Sequence, residues 1–515
     1  MLTETPGRDE KVRVRFAPSP TGPLHIGGLR TALYNYLFAR KNNGTFILRM
    51  EDTDQSRYMK GAEKYISNAL QWVGLTPDEG PGFGGEYGPY RQSERLDLYR
   101  SFASRLLQTG NAYYAFDTVE ELELMRSREY DKGIRAPKYD TSTRLHMKNS
   151  LTLTDSQTKE WIATGIPYTI RLLIPQGQVI RFIDRVRGEV SFSSDDLDDK
   201  VLLKADGFPT YHLANIVDDH LMKVTHVIRG EEWLSSTGHH IFMYDSFGWK
   251  LPSFAHLPLI LRPNGKGKLS KRDAAVFGIP VLPLAWDSAE GSFEGFKEGG
   301  FLPEALLNFL AFLGWNPGTE KEFFSVPELI EAFSIDQISK SGARFDFDKA
   351  KWYNNRYLND CELDRLTEEL KIFVIQKGYN WDFEYVKSVV GLLRERAFSI
   401  VDLLERGYYF FEKVTGYDED IISKKWNPVS KENYRKVVDE IRQVEIFRKD
   451  TLHKTVSGFI DSGGLRFADY LPLLRIALTG SGQGPDLFKI MEILGKGEVM
   501  DRLVKTIPIF ERMVA

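Results

Sequence analysis

Along residues 12–16, Val12, Val14 and Phe16 alternate with Arg13 and Arg15, the period of a half-buried strand. Pro18, Pro20, Gly22 and Pro23 follow at once and exclude regular structure, so the strand must run into a stiff loop. Leu29, Ala32, Leu33, Tyr36, Leu37 and Arg40 then recur at helical spacing and predict a helix that opens near Gly28. A second strand is predicted over residues 45–50, ending in Glu51-Asp52-Thr53-Asp54, and a second helical stripe runs from Tyr58 to Val73. This order predicts a parallel sheet with right-handed crossovers. Strand C-terminal ends carry the ligands of such sheets, and residues 15–19 and Glu51 both fall there.

The rhythm then changes twice. Between about Gly110 and Gly207 a charged helix (120–129) and two strands (167–174 and 179–183, joined by a turn at Gln176-Gly177) predict a mixed α+β insertion. The sheet is expected to resume with strands at 211–217 and 224–229 and a short one at 259–261, which leads into a basic loop. Beyond Phe301, helical spacing at 303–312, 327–333, 363–377 and 383–397 continues to Met513. A helical region in two bundles, with a break near 416–427, is expected there. Residues 80–85 match G-x-G-x-x-G as a string, but no strand precedes them, Pro81 interrupts them and no helix follows, so they read as a loop. Asp195-Asp196 and Asp198-Asp199 fit no cation-binding loop and read as a solvated acidic turn. His239 and His240 are adjacent and make a poor metal pair.

At 515 residues the chain is too long for one core, and length alone predicts three or four domains. Hydrophobic residues at 42% and charged residues at 27% are those of a soluble globular protein. No apolar run approaches a membrane span, and residues 1–11 read as a loose polar lead-in without an apolar secretory core. The single cysteine, Cys361, excludes an internal disulfide and a thiolate metal site, which fits a reducing cytoplasm. A net charge of −4 gives no bulk attraction for a polyanion, so any such partner must be met by local basic patches.

Strand, stiff loop and helix N-terminus together suit an anion, because free backbone N–H groups and the positive dipole end point at it. Gly27 and Gly28 let a large flat group approach the backbone, and His25 stands at the lip. Alone, the segment also reads as an ordinary strand-to-helix turn with a surface histidine. The basic loop, Arg262-Pro263-Asn264-Gly265-Lys266-Gly267-Lys268-Leu269-Ser270-Lys271-Arg272, fails as a P-loop because Leu269 follows Gly267-Lys268. As a charge run it reads as a solvated turn. As a flexible loop with two lysines it can close over a triphosphate and neutralise charge that develops in the transition state.

Residues 18–28, Pro-Ser-Pro-Thr-Gly-Pro-Leu-His-Ile-Gly-Gly, resemble the first signature of class I aminoacyl-tRNA synthetases, and Lys268-Leu269-Ser270-Lys271-Arg272 resembles the second. With Phe16-Ala17-Pro18, Arg49-Met50-Glu51-Asp52-Thr53-Asp54, Tyr211-His212-Leu213-Ala214-Asn215 and His226-Val227-Ile228-Arg229-Gly230-Glu231-Glu232, almost the whole chain resembles the bacterial-type glutamyl-tRNA synthetase family. Gly28, where many class I enzymes have a second histidine, is that family's usual variant.

The resemblance implies a Rossmann-like α/β catalytic domain with a parallel sheet and an α+β insertion, followed by an all-α anticodon-binding region. The segments would be 1–110 and 208–255 (catalytic), 111–207 (inserted, acceptor-end-binding), 256–345 (stem contact with the mobile basic loop) and 346–515 (anticodon). It implies a glutamate–tRNA ligase that uses ATP with Mg2+, L-glutamate and tRNA(Glu) and acts as a monomer. His25, Lys268 and Lys271 would be catalytic. Pro18, Gly27, Gly28 and Lys271 would bind ATP. Arg15, Ala17, Ser19, Glu51, Tyr211, Asn215 and Arg229 would bind glutamate, with Arg15 and Arg229 able to grip a carboxylate. Arg394, Arg396, Lys424, Lys425, Trp426, Arg442, Arg448 and Lys449 offer charge and one stacking surface to RNA. Some members hold zinc through cysteines in the inserted domain. Near Ala112-Tyr113-Tyr114-Ala115-Phe116 there are none, so no structural zinc is expected.

Alternatives within the resemblance are an enzyme that also glutamylates tRNA(Gln), glutaminyl-tRNA synthetase, and the shortened relative that modifies a tRNA base. A non-catalytic RNA-binding homologue and a general nucleotidyltransferase are alternatives of other classes.

Overall fold

The computed structural model describes residues 10–288 and 291–514, so most of the expected polar lead-in, residues 1–9, lies outside the described residues. The chain divides into two compact units, residues 1–298 with 303–347, and residues 299–302 with 348–515.

In the first unit, β1 (Arg13–Phe16) and β2 (Thr45–Leu48) pair in parallel, with Phe16 opposite Leu48. The crossover between them is α1 (Ile26–Lys41), which buries Ile26, Leu29, Leu33, Tyr34 and Leu37 and ends on Arg40 and Lys41, cations suited to a helix C-terminus. Next come α2 (Ala62–Trp72) and α3 (Leu96–Gln108). The glycine-rich stretch between them is a turn in which Gly80 and Gly84 exchange backbone hydrogen bonds, as its composition predicts.

The insertion contains β3 (Ala112–Ala115), α4 (Val119–Asp131), α5 (Asp155–Ala163), β4 (Thr169–Leu172), β5 (Val179–Asp184), β6 (Gly188–Ser193) and β7 (Val201–Leu203). Capping boxes, Thr118 with Glu121 and Thr154 with Gln157, start both helices. The expected turn at Gln176-Gly177 joins two strands that enter different sheets. β4 lies between β3 and β7, while β5 pairs with β6 and, in parallel at Asp184, with the later strand Ser253–Leu257. Each strand takes the partner that buries its apolar face: Ile170 and Leu172 on one side of the turn, Ile180 and Phe182 on the other.

A further correction falls on residues 211–217, where a helix stands in place of a strand: α6 (Tyr211–Leu221). Its apolar run is short and contains β-branched Ile216 and Val217, which hides the helical period. The deciding fact is that Asn215, Asp218 and Asp219 are buried with polar partners on one helix face. β8 (His226–Gly230), α7 (Thr237–Phe247), β9 (Ser253–Leu257) and β10 (Ile260–Leu261) follow. Thr225 N–H donates to Arg13 O at 2.9 Å, bringing β1 alongside the start of β8. β10 pairs with Ala343–Arg344, a short strand that helical spacing beyond Phe301 did not anticipate. The solvated acidic turn also needs correction. Asp195 and Asp196 are exposed, but Asp199 is buried and accepts from Tyr113 Oη at 2.7 Å and Ile174 N–H at 3.0 Å. Asp198 lies 3.3 Å from His239 and 3.0 Å from Lys200.

Among its described residues the second unit is helical throughout, including Leu363–Gln376, Phe383–Leu393, Pro428–Gln443, Lys449–Ser462 and Phe467–Thr479. The expected break near 416–427 itself contains a short helix, Glu419–Lys425, whose Ile422 enters a core with Leu452, Leu474 and Phe510. No described helix in the chain is long and apolar enough to cross a membrane.

Candidate active site

The stiff loop delivers His25 as the residue that caps α1. Its backbone is extended (φ −86°, ψ 152°), and its Nδ1 accepts the Gly27 N–H at 3.1 Å. That bond leaves the neutral ring's proton on Nε2, which is buried and has no hydrogen-bond partner among the described residues. Burial, followed by the charges of Lys271 and Lys268, lowers the imidazole pKa to about 4. A neutral imidazole therefore borders a cavity of about 380 Å³ whose lining includes His25, Gly27 and Gly28 together with Lys268 and Lys271. The two remote signature segments thus share one cleft. A Cβ built on Gly22 would come within 2.7 Å of Lys271 Nζ, so the glycine makes room for the lysine. Gly28 does something else: a Cβ there would strike Leu24 Cδ1 at 2.6 Å, so its bareness lets the loop pack on the helix. Pro18 is in the loop but not among the cavity's lining residues.

The basic loop is tied down more firmly than its composition predicts. Leu269 is buried and donates its N–H to Ile260 O at 2.8 Å. Asp273 accepts from Ser270 N–H at 2.7 Å and pairs with Arg262 at 3.0 Å. Lys268 reaches Glu232 at 2.9 Å.

Arg229, at the C-terminal end of β8, directly precedes Gly230, which lines the same cavity. Its guanidinium is buried, yet among the described residues it has no carboxylate within ion-pair distance. Its N–H groups instead meet neutral acceptors: His256 Nε2 at 3.1 Å, Tyr211 Oη at 3.1 Å, His240 Nδ1 at 3.2 Å and Thr237 Oγ1 at 3.0 Å. Burial holds His240 and His256 well below the ordinary imidazole pKa, the latter at about 4. Asn215 donates to Tyr211 Oη at 3.2 Å, and the Trp233 ring stacks on Tyr211 with centroids 4.0 Å apart.

Arg15 is treated differently. Its Nε and one terminal nitrogen are paired with Asp219 at 3.0 and 3.2 Å, so most of its fork is already occupied. Arg49, fully buried, bonds Asp219 at 2.7 Å, Asn215 Oδ1 at 2.7 Å and Glu51 at 3.2 Å. Asp218 is held by Arg95, Gln92 and Tyr99. Despite its arginine neighbours, burial pushes the Glu51 pKa up to about 7. Glu51 N–H donates to Pro18 O at 3.0 Å, which fixes it to the stiff loop, where Ala17 is half-buried and Ser19 exposed. Contacts thus connect Arg15, Glu51, Tyr211, Asn215 and Arg229.

Comparison with known proteins decides the family. Residues 11–352 match tRNA synthetases class I (E and Q), catalytic domain, and residues 365–507 match an anticodon binding domain. The chain belongs to the class I aminoacyl-tRNA synthetases. A glutamate–tRNA ligase of Amoebophilus asiaticus (strain 5a2) is 48% identical over 499 residues, covering 96% of this chain and 98% of the relative. One of Cytophaga hutchinsonii is 49% identical over 506 residues, covering 96% and 97%. The crystal structure of a glutamate tRNA ligase from Elizabethkingia meningosepticum CCUG26117 in complex with its amino acid superposes with a TM-score of 0.92 at 44% identity, covering 97% of this chain and 99% of that one. In this synthetase the parallel-sheet catalytic domain is followed by an all-helical anticodon-binding domain.

Sequence reasoning did not single out Arg49, Asp218, Asp219, Trp233, His256 and Asp184, and it weighed His240 only as half of a poor metal pair. Arg49 stands two residues before Glu51 in a quoted motif, and Asp218-Asp219 close α6. Their partners lie more than a hundred residues away in the chain, so no local pattern shows them.

Proposed function

We propose that this protein is a glutamate–tRNA ligase that activates L-glutamate with ATP and passes it to the terminal adenosine of tRNA(Glu). The observation that carries the reading is Arg229: a buried cation, surrounded by neutral acceptors, next to a cleft shared by His25 and Lys271. A buried charge without a counter-charge is costly, and an acidic substrate side chain supplies one. Glu51, with Ser19 and Ala17, takes the ammonium end, while Arg15, Tyr211 and Asn215 complete the pocket.

In the first step an α-carboxylate oxygen of glutamate attacks the α-phosphorus of ATP, the bond to the β-phosphate oxygen breaks, and pyrophosphate leaves. The nucleophile is already an anion, so the protein's task is alignment and charge stabilisation. His25 Nε2–H donates to phosphate oxygen, and Lys271 and Lys268 neutralise the leaving pyrophosphate. In the second step the 2′-hydroxyl of the terminal adenosine attacks the acyl carbon and AMP leaves. Magnesium enters with ATP as part of the substrate and screens its phosphates. Glu232, the one carboxylate lining the cavity among the described residues, is engaged by Lys268.

The inserted region meets the acceptor end and the helical region reads the anticodon. The chain works as a monomer in the cytoplasm, in keeping with its single cysteine. The insertion needs no structural zinc. Where zinc-holding relatives carry cysteines, Tyr113 and Ala115 pack with Met125 and Tyr139. Stoichiometric zinc by elemental analysis would overturn that assignment.

Charging purified tRNA(Glu) and tRNA(Gln) with glutamate and with glutamine tests the whole reading. Glutamylated tRNA(Glu) is expected. Glutamylation of both tRNAs makes the enzyme non-discriminating. Glutamine transfer, or no tRNA-dependent exchange of ATP with pyrophosphate, refutes the proposal.

A further inference from the structure

Against Arg229, and not among the residues lining the cavity, stands a pair that the proposed chemistry does not use. His256 on β9 and Asp184 at the end of β5 are both fully buried, with Nδ1 and Oδ2 2.6 Å apart. Asp184 Oδ1 accepts backbone N–H groups from Val186 and Arg187, each at 2.9 Å, and the His256 N–H reaches Oδ2 at 3.1 Å. On the other side of the ring, Nε2 faces Arg229 Nε at 3.1 Å and Thr237 Oγ1 at 3.2 Å. An arginine can only donate, so Nε2 must be bare and the ring proton must sit on Nδ1. An ionised carboxylate facing Nδ1 enforces that tautomer.

We propose that Asp184 and His256 are positioning residues for amino-acid specificity: Asp184 locks the His256 tautomer that accepts from Arg229, and so aims an otherwise unneutralised guanidinium at the substrate's side-chain carboxylate. The proposal rests on the reading of Arg229 as the glutamate-binding cation. It accounts for the arrangement of the acid. Asp184 steadies the arginine through an imidazole without touching it, so no protein carboxylate competes with the substrate's.

The test is Asp184→Asn in the full enzyme with glutamate, ATP and tRNA. Val186 and Arg187 donate to Oδ1 alone, and the His256 N–H is shared between Oδ1 at 3.3 Å and Oδ2 at 3.1 Å, so the amide oxygen stays on the Oδ1 side, where it keeps all three backbone donors, and the amide nitrogen faces His256 Nδ1 and donates to it. The ring proton then moves to Nε2 and opposes Arg229 Nε–H. KM for glutamate is expected to rise by about 10- to 100-fold with KM for ATP unchanged, the cost of a misaimed binding group. Adding His256→Gln to Asp184→Asn restores an oxygen acceptor beside Arg229 and recovers part of the loss, which a merely structural defect would not do. Independently of Asp184, His256→Gln is expected to hold glutamate better than His256→Leu, which offers no acceptor.

An unchanged glutamate KM in Asp184→Asn, a double variant no better than the single one, or equal losses in the glutamine and leucine variants overturns the proposal. Arg229→Ala separates the two levels. If it leaves glutamate KM unchanged, the reading of the pocket itself is wrong. If it raises that KM while Asp184→Asn does not, only the positioning role falls.

Discussion

Two buried arginines at strand ends in one catalytic unit have opposite surroundings. Arg49 lies among Asp219, Glu51 and Asp218, and its charge is spent within the protein. Arg229 is also buried, yet among the described residues every group it bonds is neutral: two histidines, a tyrosine, a threonine and a backbone carbonyl. A saturated cation holds elements together, here β1 and β2 against α6. A cation left with neutral acceptors keeps its field for something that arrives. The contrast separates scaffold from site more sharply than burial does, because both arginines are buried.

The comparison breaks most visibly at Asp219. Asp219→Ala strands Arg15 and Arg49 without their shared carboxylate, and breaking such a buried pair costs about 3–5 kcal/mol of stability. Denaturant unfolding reads this directly; a loss comparable to a surface substitution would mean that the network is not structural. At the cleft the opposite is expected. His25→Ala removes a donor that has no partner through Nε2 among the described residues, together with the Nδ1 cap on Gly27 N–H, so stability should fall by only about 0.5–2 kcal/mol while the rate of adenylate formation falls on the order of 10²–10³-fold. Rapid-quench measurement with a parallel melting curve checks both halves.

Glu51 stands between the two kinds of group, and pH sharpens its placement. Burial has raised its pKa from about 4.5 to about 7, so the carboxylate is protonated below that value in the folded protein. A substrate ammonium needs it ionised. kcat/KM for glutamate is therefore expected to fall about tenfold per pH unit as pH drops below 7. Glu51→Gln should flatten that limb. A wild-type profile flat from pH 5.5 to 8 would contradict the assignment.

How much of this the sequence shows depends on whether the cause is local. β1, the stiff loop and α1 are legible because alternation, prolines and a 3.6-residue stripe all act within thirty residues. The cleft is legible only through two signatures more than two hundred residues apart, and the residues between them do not reveal their meeting. α6 reads as a strand because seven residues of mixed apolar character carry no clear period, and its helicity is decided by polar partners on β1, just after β2 and on α3. The partners of β4 and β5 are not legible, because a turn residue such as Gly177, at φ 73°, shows that the chain turns without showing which strand it meets next. Arg15 and Arg229 look alike as arginines ending strands; only coordinates show which one already has its acid.

The central claim is that Arg229 keeps its charge for a substrate carboxylate. Calorimetric titration of L-glutamate and L-glutamine into wild type and Arg229→Ala tests it most directly. Wild type should prefer glutamate and Arg229→Ala should lose that preference while still binding ATP; a variant that still discriminates the acid from the amide would contradict the claim.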